Sequence, residues 1–124
     1  MVAEDLQGLT EFCKTKAGTA LRSVFTYSEE GGEVLYARDD VGSTYQDGGF
    51  QDLFDVAWDV HTTVLDREPE VQTLGEYRVT VHTFDSGFVM QFREAPGRGV
   101  AVAFDRSIGR NLHEFLLECE SFLS

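Results

Sequence analysis

Lysine is almost missing from this 124-residue chain: of ten basic residues only Lys14 and Lys16 are lysines. Cysteine is limited to Cys13 and Cys119. Two thiols in a sequence with no secretory pattern do not make a disulfide framework. Each falls on the apolar face of a predicted helix, where cysteine serves as a small hydrophobe. No apolar run is long enough to cross a bilayer. The opening MVAEDLQGLTEF has neither a basic n-region nor an apolar h-region, so a cytoplasmic location is expected. Catalytic and ligand motifs are also missing. His61, His82 and His113 are the only histidines, and none belongs to an HExxH or a paired Cys/His pattern. There is no GxSxG and no Walker loop, and the glycine pairs lack the lysine that would neutralise a phosphate. Neither a cofactor nor a metal is expected. No enzyme class is indicated.

What is present is acid. Asp and Glu number 22 against 10 Lys and Arg, a formal net charge of -12. The acids run along the whole chain, and ten Phe, four Tyr and one Trp accompany them. A disordered acidic segment would be poor in aromatics. The composition therefore reads as a folded domain with an acidic surface. One reading is adaptation to a cytosol of molar salt, where the Debye length falls to ~3 Å and like charges are screened. The scarcity of lysine is similar to that in proteins of salt-accumulating halophilic archaea. An acidic mesophilic protein is the other reading. Either way the field repels nucleic acid.

The length suits one domain spanning 1–124. Residues 3–17 read as a helix with Leu6, Leu9, Phe12, Cys13 and Ala17 on one face, ended by Gly18. Strands follow over 21–28 and 33–38, joined by the hairpin turn Glu29-Glu30-Gly31-Gly32. Residues 39–49, DDVGSTYQDGG, read as a long loop whose acids fit no EF-hand spacing. The helix 50–67, FQDLFDVAWDVHTTVLDR, is stopped by Glu68-Pro69. Strands are expected over 76–84, 88–94 and 100–105, the last apolar on both faces and so central or covered twice. A closing helix spans about 110–123 with a narrow stripe of Leu112, Phe115, Leu116, Cys119 and Phe122.

The expected fold is α+β, with elements ordered α-β-β-α-β-β-β-α. Hairpin connections imply a five-stranded, mostly antiparallel sheet, with the terminal helices on one face and helix 50–67 on the other. On that arrangement Cys13 and Cys119 approach each other as free thiols. In the C-terminal half, Gly75-Glu76-Tyr77 leads into a strand, Asp85-Ser86-Gly87 turns, and the apolar 100–104 strand passes through a short loop to Asn111-Leu112. With the element order, these features resemble the roadblock family, dynein-light-chain-like domains of profilin-like architecture. The 39–49 loop and the Trp-bearing helix have no residue-by-residue match to the family. The resemblance implies no catalysis. It implies homo- or heterodimers in which the central helix and a neighbouring strand meet their mates, acting as scaffolds or regulators beside small Ras-like GTPases. A second reading is a ligand-sensing domain, since profilin-like sheets resemble those of PAS sensors; His61 and His82 would then line its pocket.

Helix 50–67 carries the main functional signal. Its apolar arc spans roughly 200°, about twice what one sheet contact needs. One edge holds Phe54, Trp58 and Leu65, the other Leu53, Val56 and Val60. At least one edge should stay uncovered in a monomer, so a homodimer is expected. The Trp58 edge, with Phe54, His61 and Leu65, is the expected interface, because Trp is enriched at interface hot spots. Arg93, Arg98, Arg106 and Arg110 form a mild basic concentration that reads as ion-paired surface or as one cationic spot.

Overall fold

The computed structural model describes residues 2–45, 48–67, 78–95 and 97–122, with the side chains of 2–5, 64–67, 94–95 and 115–120 excepted. Helix α1 runs Val2–Ala17 and ends where Gly18 takes φ of 56°, a conformation that only a residue without Cβ adopts freely. A 3-10 turn, Gly18–Ala20, leads into β1 (Leu21–Ser28), which turns back as β2 (Gly31–Ala37). After helices α2 (Asp39–Thr44) and α3 (Gly49–Arg67) come β3 (Val79–Phe84), β4 (Gly87–Ala95), β5 (Arg98–Asp105) and helix α4 (Arg110–Ser121). The five strands form one sheet in the order β2-β1-β5-β4-β3, and every neighbouring pair is antiparallel. The expected α+β class and antiparallel sheet are present, with the doubly apolar β5 in the middle.

Two cores follow from the strand alternation. On one face Leu21, Val24, Val100, Val102 and Phe104 pack beneath Leu6 and Cys13 of α1. On the other, Phe25, Tyr27 and Ala101 pack beneath Phe54 and Ala57 of α3. A regular strand would send Leu21 and Val24 to opposite faces. The pairing slips between Leu21 and Ser23, and this bulge at Arg22 lets both residues reach the α1 core. Helices α1 and α3 thus lie on opposite faces, as expected. How Cys119 of α4 packs lies outside the described residues, so its approach to Cys13 does too.

The 39–49 stretch corrects the sequence reading. Its first half is a helix, α2, not a loop. Asp39 and Asp40 sit in the first turn, where carboxylates meet the positive end of the helix dipole. Val41 is buried, and Arg38 anchors the start by bonding both oxygens of Asp40. Burial of Val41 and the Arg38–Asp40 ion pair override the poor helix propensity of Gly42, Ser43 and Thr44.

Candidate functional site

The α3 side of the sheet holds the features that bear on function. Its central tyrosine, Tyr27, is fully buried. Room for it comes from Gly99 on the paired strand: a Cβ there would stand 2.3 Å from the tyrosine oxygen. Tyr27 belongs to a buried polar chain that ties helix to sheet. The Gln91 side-chain amide donates to the Ala57 carbonyl of α3 at 3.0 Å and to the Tyr27 hydroxyl at 3.2 Å. The carbonyl of Ala57 can only accept, so the orientation of the Gln91 amide is fixed. Its oxygen then accepts from His82 Nε2 on edge strand β3 at 2.5 Å. At the other end, the Tyr27 hydroxyl hydrogen-bonds His61 Nδ1 at 3.2 Å.

His61 is 1% exposed, and Trp58 stacks on its ring at 5.3 Å. Its Nε2 is buried with no hydrogen-bond partner among the described residues. Burial, reinforced by the charge of Arg93, holds its pKa below the ordinary imidazole value, so the ring is neutral at neutral pH.

The expected interface residues therefore occupy different environments. Phe54 and His61 are buried inside the subunit, Trp58 is half-buried, and the side chain of Leu65 lies outside the described residues. The opposite edge of α3 is the open one: Val56 is 60% exposed. Between that edge and β3 lies an open trough of about 290 Å³. Phe25, Val89, Ala101 and Ala103 line it from the sheet and Ala57 from the helix. Val41 of α2 and the neighbouring Tyr45 line it too, as do Val56, Val60 and Phe84. Its polar lining is Arg22, Ser23, His82 and Gln91. Of the two histidines expected to line a sensor pocket, His82 does so directly. His61 reaches this region through Tyr27 and Gln91.

Charge is organised at the end of the sheet. Arg38 bonds Asp105 at 2.7 Å, Asp40 at 2.7 Å and the Thr19 carbonyl at 2.7 Å. Arg22 adds a bond to Asp105 at 3.1 Å. The Arg38 hydrogen bond draws the Asp40 carboxyl down to about 2 and lowers that of Asp105 as well. Asp40 is thus an ion-pair partner of Arg38. Among the described residues no group of three or more His, Cys, Asp and Glu could hold a metal ion. Burial raises the Cys13 thiol pKa, the opposite of what a nucleophile needs. Of the candidate cationic spot, Arg110 faces Glu114 at 3.5 Å and Arg106 donates to the Asp85 carbonyl.

A five-stranded antiparallel sheet with α1 and α3 on opposite faces places this molecule in the roadblock class of α+β folds. A solved Roadblock/LC7 domain from Streptomyces avermitilis superposes with a TM-score of 0.60 over 95% of this chain and 97% of that one, at 14% identity. The chain belongs to the family described as a domain of unknown function, DUF7522, whose profile matches residues 7–124. No protein of curated function matches it. No helix among the described residues is long and apolar enough to cross a membrane.

Proposed function

We propose that this chain is a non-enzymatic interaction or regulatory module of roadblock type that works as a homodimer in the cytoplasm. The supporting observation is the uncovered apolar edge running from Val56 on α3 to Phe84 on β3, which are 60% and 61% exposed. Strand β3 is an edge of the sheet, and VTVHTF contains no proline and no acidic or lysine side chain to discourage pairing. Val79 and Val81 on its other face are exposed as well. A two-fold pair joining α3 to α3 and β3 to β3 would cover these groups twice over. The interface thus falls on the Leu53–Val56–Val60 edge and not on Phe54 and His61, which the subunit itself consumes. A small Ras-like GTPase is the protein partner that the family resemblance favours. The acidic surface suits a high-salt cytosol. Sedimentation of the wild type and of Val56→Glu tests the dimer.

The trough supports a second reading, a ligand-sensing domain. It lies between sheet and helix, is mostly apolar, and converges on a few polar groups, the usual composition of a small-molecule site.

A further inference from the structure

The second reading can be given a ligand class, on which the following rests. Strand register places Ser23, Ala103, Val89 and His82 in one row across β1, β5, β4 and β3, and all four line the trough. The row is polar at both ends and apolar between. Three strand spacings of ~4.8 Å separate its ends by ~14 Å.

Both ends have unspent hydrogen-bonding capacity. Ser23 is 4% exposed, and its hydroxyl makes no hydrogen bond within the described chain. The hydroxyl is not fully enclosed: the surface Ser23 retains lines the trough, where a hydroxyl can either donate or accept. At the other end His82 spends Nε2 on Gln91, which leaves Nδ1 as an acceptor. Between them, small Ala103 leaves the floor open where a larger residue would fill it. Arg22 at the rim is held by Asp105, and the chain carries a net charge of -12, so nothing here favours an anion.

We propose that the trough binds an elongated, uncharged small molecule, apolar along its middle, with a hydroxyl group at the His82 end and a hydroxyl or carbonyl group at the Ser23 end. One end bonds the Ser23 hydroxyl and the other donates to His82 Nδ1, while the middle lies over Ala103 and Val89.

The test is amide NMR of the full chain with three eight-carbon probes: 1,8-octanediol, 1-octanol and suberate. Octanediol should shift the amides of Ser23, Val89 and Ala103 saturably, and suberate should not. Loss of one terminal hydrogen bond, in 1-octanol or in Ser23→Ala with octanediol, should weaken binding about 5-fold. Ala103→Leu should abolish it with the spectrum still dispersed. If Ala103→Leu does not fold, Ser23→Ala decides: octanediol binding unchanged in that variant overturns the assignment. If octanol or suberate binds at these amides as tightly as the diol, the ligand class is wrong and the sensing pocket stands. If no probe moves them, the trough is not a ligand site. Sedimentation of the same samples separates this from the dimer: a dimer blind to all three probes refutes only the ligand, and a monomer that binds the diol refutes only the dimer.

Discussion

Val56→Glu is the sharpest perturbation of the proposed assembly. The side chain is 60% exposed on the subunit, so substitution there disturbs little of the core. Full burial of a valine is worth ~1.5–3 kcal/mol, so covering the exposed part contributes about 1–2 kcal/mol per copy. Two-fold symmetry doubles this to about 2–4 kcal/mol, a factor of roughly 30 to 700 in the dimer dissociation constant. Glutamate also places a charge beside Asp52 and Asp59, which adjoin Val56 on the helix surface, and repels its mate across the axis. The loss should therefore reach or exceed the upper figure. The same acids make wild-type pairing salt-dependent, because a Debye length of ~10 Å at ~0.1 M shrinks to ~3 Å at ~1 M. Sedimentation velocity over a concentration series in low and molar KCl reads both effects, with circular dichroism confirming the fold. A wild type that stays monomeric at tens of micromolar in molar salt, or a Val56→Glu variant that pairs like the wild type, refutes the reasoning.

Other consequences are separately measurable. With the folded pKa of His61 below the ordinary value of ~6.5, the unfolded chain takes up the proton first. Its share of stability is complete above that pH, falls as pH drops through it, and levels off below the folded pKa; denaturant midpoints against pH should show this step. In His61→Phe the step should vanish while stability stays within ~1 kcal/mol of wild type, since the lost Tyr27 bond is offset by removal of an unmet buried nitrogen; a loss above ~3 kcal/mol would argue that Nε2 has a partner. Arg38→Met should cost about 1–2 kcal/mol by chemical denaturation, because the strand end, α2 and the Thr19 carbonyl all depend on its guanidinium. Gly99→Ala should be worse than either, since its Cβ would collide with Tyr27; a stability within ~0.5 kcal/mol of wild type would contradict the packing described.

The sheet was legible because its signals are redundant. Alternation in 79–84, paired turn residues at 29–32 and the doubly apolar 100–105 each point to the same antiparallel order. Helix α2 was not legible. Only six residues long, it contains three poor helix formers and is held by Val41 and by Arg38, whose bonds to Asp105 span the chain. Periodicity also gave the width of the α3 arc but not its azimuth. A wheel treats Trp58 and Val56 alike; the sheet fixes which edge lies down, because Phe50, Phe54, Ala57 and His61 follow one spacing onto Phe25 and Tyr27. Trp58 stacks on His61 and is half-buried, while Val56 is the more exposed residue, which is why the proposed interface is drawn on the Val56 edge.

The trough could not be read from the sequence for a related reason. Ser23, Ala101 and Ala103 are unremarkable residues in their own strands, and only registry across β1, β5, β4 and β3 brings them into one floor. Gln91 completes the arrangement. One buried amide bonds α3 at Ala57, β1 at Tyr27 and β3 at His82. The edge strand proposed to meet a second copy is thus fastened to the helix proposed to meet it. Gln91→Leu, of similar size, would remove the Gln91 bond from the Ala57 carbonyl and leave His82 with no side-chain partner among the described residues. Helix and edge strand would then be free to shift separately, so the variant should lose dimer affinity with more modest loss of subunit stability. Urea midpoints and sedimentation on one preparation compare the two directly. Equal pairing in Gln91→Leu and wild type would show that the amide stabilises the subunit core without positioning the interface.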